Sequence, residues 1–70
     1  MTEIRASTTG SIWQILVAVG DTIVPGQEVV ILESMKMEIP IEAEVSGHVT
    51  RILVQEGESV RQDQVLMVVL

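Results

Sequence analysis

The sequence repeats itself at an offset of 37 residues, and this internal repeat limits the folds that the chain can adopt. Residues 10–33 align with residues 47–70, and six of the aligned pairs are identical. The identical pairs begin at Gly10, Ile15, Leu16, Val17, Gly20 and Gln27. Matched glycines followed by acid–hydroxyl pairs predict matched turns, and two copies are too few for a solenoid. The repeat therefore predicts two similar half-barrels packed about a pseudo-two-fold axis.

Branched side chains indicate that the fold is all-β. Valine, isoleucine and threonine account for 25 of the 70 residues, whereas alanine accounts for only three. Branched side chains lose χ1 freedom in a helix and pack well on a pleated sheet. The only aromatic residue is Trp13, so the core is expected to be aliphatic. A chain of this length is expected to form a single domain over residues 1–70.

Short apolar runs separated by turn residues predict seven or eight strands. The runs span residues 3–6, 11–17, 27–33, 36–41, 44–45, 48–54 and 65–70, with shorter extended pieces at 22–23 and 59–60. Asp63 replaces Gly26 in the second copy and also tolerates the positive φ of a turn. Pro40 cannot donate to a ladder, so it is expected on an edge strand or at a strand end.

The charge and the chain length exclude several classes of function. The formal net charge is −6, which argues against nucleic acid or an anionic membrane as partner. There is no cysteine, and a single histidine, His48, cannot build a metal site or a triad. The longest apolar run, residues 65–70, is far shorter than the roughly 20 residues of a membrane helix. The chain is therefore expected to be cytoplasmic and too small for an enclosed active site.

Residues 33–38, where the first copy ends and the connection to the second begins, contain the only lysine of the chain, Lys36. A two-residue hairpin turn here would place Met35 and Lys36 at its tip, although neither is a usual residue of such a turn. An amine can lose its proton and form an amide, whereas the three arginines remain charged. If an enzyme acylates a side-chain amine of this chain, Lys36 is the only candidate. The alternative is an ordinary solubilising charge on an exposed turn.

The segment around Lys36 resembles the attachment motif of the biotinyl/lipoyl domain family. Residues 33–37 read Glu-Ser-Met-Lys-Met, with the lysine between two methionines. Residues 20–27 and 42–49 resemble the segments before and after that motif in biotinyl domains. The resemblance implies a flattened β-barrel of two four-stranded antiparallel sheets, a barrel-sandwich hybrid with the attachment lysine at a hairpin tip. It also implies either a stand-alone biotin/lipoyl attachment protein or a carrier domain of the biotin carboxyl carrier type.

The resemblance implies a function for Lys36 as the covalent attachment site of biotin. A biotin protein ligase would join the carboxyl group of biotin to the Lys36 ε-amine through biotinyl-AMP. The carrier would then move carboxyl groups from a biotin carboxylase site, supplied with bicarbonate and ATP, to a carboxyltransferase site. The protein would itself be non-catalytic and monomeric.

Three alternatives remain from the sequence. The first is a lipoyl carrier modified on the same lysine, or an acceptor of both groups. Lipoyl domains usually have an acid, then Thr-Asp, before the lysine, and here Met35 replaces that aspartate and Met37 the usual alanine. The second is a purely structural barrel-sandwich module without a modified lysine. The third is a small enzyme, for which the sequence contains no catalytic constellation.

The residues beside the lysine have different expected roles. Met35 at the tip has no core to fill, so it is expected to be recognised by the modifying enzyme. Met37 alternates with Ile39 and Ile41, which predicts that it faces inward and is mainly structural, with recognition as its second role. Trp13 aligns with the polar Thr50 and is expected to be partly exposed on the sheet.

Overall fold

The computed structural model describes all 70 residues and contains only β-strands and turns. The strands are β1 (Thr2–Arg5), β2 (Gly10–Ile15), β3 (Thr22–Ile23), β4 (Glu28–Ser34), β5 (Met37–Glu42), β6 (Gly47–Ile52), β7 (Ser59–Val60) and β8 (Val65–Val69). The predicted strand at residues 44–45 is wrong, because β5 and β6 belong to different sheets and residues 43–46 carry the chain between them. No helix is present that could cross a membrane.

The eight strands form two four-stranded antiparallel sheets with the same internal order. The sheet that contains β4 and β5, here called the hairpin sheet, has the order β5-β4-β2-β7. The other, here called the terminal sheet, has the order β1-β8-β6-β3. An offset of 37 residues converts each strand of one sheet into its counterpart in the other, so the predicted pseudo-two-fold symmetry is confirmed. The symmetry also relates β1 to β5, and Pro40 lies on the edge strand β5, as predicted.

The turns and the strand irregularities repeat as well as the strands. The amide of Ala18 donates to the Asp21 carboxylate at 2.9 Å, and the amide of Gln55 donates to the Glu58 carboxylate at 3.1 Å. Gly26 has a φ of 87° and its counterpart Asp63 a φ of 69°, which confirms the predicted turn conformation. The register shifts around Trp13 in β2 and around its counterpart in β6, so both copies carry a bulge at the same position.

The core lies between the two sheets and is aliphatic, as the composition predicts. Every one of the 17 buried residues is apolar, and none is aromatic. Leu32 of β4 and Leu66 of β8 are completely buried, and the core cluster includes residues from both sheets. Because no polar side chain is buried, no charge or hydroxyl must be satisfied inside the domain. The packed aliphatic core therefore supports the turns and the β4–β5 hairpin at the surface.

Candidate functional site: the β4–β5 hairpin

The lysine lies at the tip of the hairpin formed by β4 and β5. Ser34 pairs with Met37 across the last rung, which leaves only Met35 and Lys36 in the turn. Their φ angles are 52° and 64°, and positive φ at both central residues is the signature of a type I′ turn. The predicted placement of Met35 and Lys36 at the tip is confirmed.

The turn is strained, and the strands beneath it hold it in place. A residue other than glycine in the left-handed region costs about 1–2 kcal/mol of conformational free energy, because its Cβ approaches the following carbonyl oxygen. The β4–β5 ladder opposes this cost with six paired positions. On the other side of β4, a Cβ at Gly10 would lie 2.6 Å from the Glu33 carbonyl oxygen, so β2 packs closely against the base of the hairpin. The tip therefore projects from a firmly held base.

The ε-amine of Lys36 is free to react with an external partner. Lys36 is exposed, and its side chain takes part in no hydrogen bond or ion pair within the chain. The single ion pair of the molecule joins Arg5 to Glu3, in β1. No group of side chains in the structure has the composition of a metal site. The residues present therefore fit a carrier of a covalently attached group, which requires one accessible amine on a rigid base.

The two methionines beside Lys36 are both exposed. Met35 has 90% of its surface exposed, which confirms its predicted position outside the core. Met37 lies on the inward face, as predicted, but the prediction that it is mainly structural is wrong, because its side chain is 59% exposed and does not pack in the core. Met37 does share a face with Ile39 and Ile41, but burial along that face declines from Ile41 through the half-buried Ile39 to Met37. The hairpin extends beyond the core, so its last rung has nothing to pack against.

Carboxylates lie opposite each other in the hairpin. Glu33 of β4 pairs directly with Glu38 of β5, and Glu28 pairs with Glu42 further from the tip. Like charges in direct cross-strand pairs are destabilising. A two-residue turn at Met35 and Lys36 already implies the Glu33–Glu38 pair, since residues equidistant from the turn face each other. The Glu28–Glu42 pair depends in addition on the bulge between Glu28 and Val30, which the sequence pattern does not reveal.

The other features of the surface lie away from Lys36. His48 lies in β6, where its ring nitrogen Nδ1 lies 3.1 Å from the Thr22 hydroxyl. A groove of about 450 Å³ lies between β1 and the end of β5, and residues 33–38 do not line it. Trp13 is 45% exposed, as predicted, and lies on the hairpin sheet. The structure therefore brings Met35, Lys36 and Met37 together at the tip and leaves the histidine apart.

The strain in the turn predicts that a better turn sequence will stabilise the domain. Replacing Met35 with asparagine and Lys36 with glycine is expected to raise the free energy of unfolding by about 1 kcal/mol, because Asn-Gly is the preferred type I′ pair. In a domain of this size that corresponds to a rise in Tm of about 4–8 °C, measured by circular dichroism. The matched control replaces both residues with alanine, which removes the same side chains without relieving the positive φ. Equal Tm changes in the two variants would contradict the proposed strain.

Comparison with known proteins shows the family. Residues 2–69 match the biotin/lipoyl family model described as "Biotin-requiring enzyme". The chain is 52% identical over 58 residues to the biotin/lipoyl attachment protein of Bacillus subtilis, covering 83% of this chain and 80% of that protein. It is 37% identical over 67 residues to the biotinylated protein TB7.3 homolog of Mycobacterium leprae, covering 96% and 94% of the two chains.

A solved structure supports the same assignment. The urea carboxylase of Kluyveromyces lactis superposes with a TM-score of 0.92 at 33% identity, covering 99% of this chain. The chain spans only 6% of the length of that carboxylase, so the similarity concerns one domain of a much larger enzyme. The internal symmetry, the hairpin-tip lysine and these relatives agree: the chain belongs to the biotin/lipoyl attachment family and is a biotin carrier domain.

Proposed function

We propose that Lys36 is the residue to which biotin is joined, and that the domain moves carboxyl groups between a biotin carboxylase and a carboxyltransferase. The observation that carries this proposal is the position of the only lysine, exposed and unpaired at the tip of a strained hairpin turn. When bound, biotin accepts a carboxyl group at one enzyme site and releases it at another. The relatives include a carboxylase in which a domain of this fold forms a small part of the chain.

The contribution of the protein is tethering. A flexible lysine side chain on a rigid hairpin confines the attached group to a small volume, where its effective concentration near a docked enzyme is on the order of millimolar. The aliphatic core and the β4–β5 ladder fix the point from which the arm starts. A rigid base positions a functional group better than a loose linker does.

The chemical steps belong to the partners under this proposal. No side chain contacts the Lys36 amine to act as an acid or a base, so a biotin protein ligase must supply the activated acyl group and accept the proton. The carboxylase and the carboxyltransferase would likewise supply their own catalytic groups. The domain itself would act as a monomeric, non-catalytic substrate of all three enzymes.

Lipoylation of the same lysine is the second candidate. It is favoured by the name of the Bacillus subtilis relative, a biotin/lipoyl attachment protein. Intact mass measured on protein from cells that supply both groups distinguishes the two, since biotin and lipoate differ in mass. A protein that carries lipoate alone would contradict the biotin proposal.

Substitution of Lys36 by arginine tests the attachment site. We expect Lys36→Arg to abolish biotinylation by ligase, biotin and ATP, because the guanidinium is a poor nucleophile. We expect the free energy of unfolding to change by no more than about 0.5 kcal/mol, because an exposed residue without partners contributes little to the fold. Mass spectrometry gives the first result and thermal unfolding the second. A variant that still gains biotin would place the attachment elsewhere.

A further inference from the structure

The two sheets differ in charge, although their strands are related by the internal symmetry. The strands of the hairpin sheet contain four glutamates and no lysine or arginine. The strands of the terminal sheet contain two arginines and one glutamate. All of these charged side chains are exposed. The negative charge of the strands is therefore concentrated on the sheet that presents Lys36.

The four glutamates flank an apolar strip on the outer face of the hairpin sheet. Ile31 of β4 pairs with Pro40 of β5, between the two pairs of opposed glutamates. On the other side of β4, Ile31 pairs with Gln14 of β2, and Trp13 is the unpaired bulge residue next to Gln14. Strands are spaced about 4.8 Å apart, so Pro40, Ile31 and Trp13 form a strip about 10 Å wide in which Gln14 is the polar member. We call this strip and its four glutamates the outer patch.

The internal repeat shows that the fold does not require this patch. The counterpart of Trp13 in the terminal sheet is Thr50, which donates a hydrogen bond to the Val68 carbonyl. The counterpart of Pro40 is Glu3. Both sheets therefore have the same backbone and the same bulge, but only the hairpin sheet combines an exposed aromatic side chain with opposed carboxylates. Opposed like charges lower the stability of the fold. A partner whose positive charges neutralise the glutamates removes that repulsion, and the removal adds to the free energy of binding.

We propose that the outer patch is the surface on which a biotin carboxylase docks, and this proposal rests on the proposed function. The partner surface is an apolar hollow that receives Trp13, rimmed by arginine or lysine side chains that face the glutamates. Buried aromatic anchors with complementary charges around them are typical of interface centres. The other substrates of such an enzyme, bicarbonate and ATP, are anions, so positive potential around its active site is required in any case.

The charge of the patch disfavours the other occupants. A second copy of this chain would place four glutamates against four more, and an anionic membrane surface would also be repelled. Arg51 lies in β6 of the other sheet, whereas Arg5 lines the groove between β1 and the end of β5 together with Glu42. Arg5 therefore faces only one of the four carboxylates, and the patch keeps its negative charge. A basic protein surface is the occupant that the patch favours.

The test uses biotinylated domain as the substrate of a biotin carboxylase, with bicarbonate-dependent ATP consumption as the readout. Each variant is first shown by intact mass to carry one biotin, because failure at that stage would concern Lys36 and not the patch. We expect Trp13→Thr to raise KM for the domain about 10- to 30-fold, the scale of an interface anchor, with kcat within about twofold. The matched control, Leu53→Thr, changes a residue of similar exposure that follows β6 in the terminal sheet and should leave KM unchanged.

A charge variant tests the rim separately. Glu42→Arg is expected to raise KM about fivefold and to weaken the dependence of KM on ionic strength. Unchanged KM in Trp13→Thr, or equal changes in a variant and its control, would overturn the proposal. So would a concentration-dependent dimer, measured by analytical ultracentrifugation, that Trp13→Thr abolishes, or an effect confined to the carboxyltransferase half-reaction.

Discussion

Replacing Leu32 with alanine is expected to lower the free energy of unfolding by about 2–5 kcal/mol. Leu32 is completely buried at the centre of β4, where it pairs with Ile12 of β2 and Ile39 of β5. Removing its side chain loses the free energy gained when those apolar atoms are buried. It also leaves a cavity that the barrel cannot fill by relaxation, because its strands are held in place by their neighbours. A domain of this size has only about 4–10 kcal/mol of stability in total. The variant is therefore expected to be partly unfolded near 37 °C.

The matched control for this substitution is Leu53→Ala. Leu53 is 43% exposed, so the same chemical change removes contacts without creating a buried cavity. Thermal unfolding followed by circular dichroism and by the fluorescence of Trp13, the only aromatic residue, should show a Tm decrease several times larger for the Leu32 variant. Equal decreases would show that the core between the sheets does not dominate the stability of the domain.

The turns, the sheets and the two similar halves could be predicted from the sequence. The turns have local sequence signals, and the internal repeat shows each signal twice. Matched glycines and acid–hydroxyl pairs predict matched turns, and the structure shows the corresponding hydrogen bonds at Asp21 and Glu58. The excess of branched residues predicts the sheets, and the position of Lys36 between the copies predicts its place in a turn. The turns depend on residues close together in the sequence, where backbone chemistry is most restrictive, whereas the sheets follow from the composition of the whole chain and the place of Lys36 from the repeat.

The features that could not be predicted depend on where distant strands end. Alternation correctly places Met37 on the face of Ile39 and Ile41, but it does not show that the core stops before the last rung. The apolar and acidic residues at 44–45 resemble a strand, yet the change of sheet requires a bend there. The outer patch combines residues of three strands, so it appears only when the register of β2, β4 and β5 is known.

Exchanging the two turn residues, Met35→Lys with Lys36→Met, is expected to slow biotinylation by at least about 100-fold. Adjacent Cα atoms are about 3.8 Å apart, and successive side chains of a tight turn point in different directions. A ligase that holds biotinyl-AMP in a fixed pocket requires the amine within about 3–3.5 Å of the acyl carbon, and misplacement by an ångström or more is costly. The exchange leaves composition, net charge and lysine count unchanged. Only the position of the amine differs.

The time course of modification, followed by mass spectrometry with ligase, biotin and ATP, measures the effect. The control Met35→Leu keeps Lys36 in place and removes the methionine, so it separates recognition of Met35 from the position of the amine. We expect this control to be modified much faster than the exchanged variant, and both to unfold at nearly the temperature of the unaltered protein, because residues 35 and 36 lie outside the core. Modification of the exchanged variant at the original rate would show that the ligase accepts any amine near the tip. The strained turn of Met35 and Lys36 would then serve some purpose other than positioning one amine.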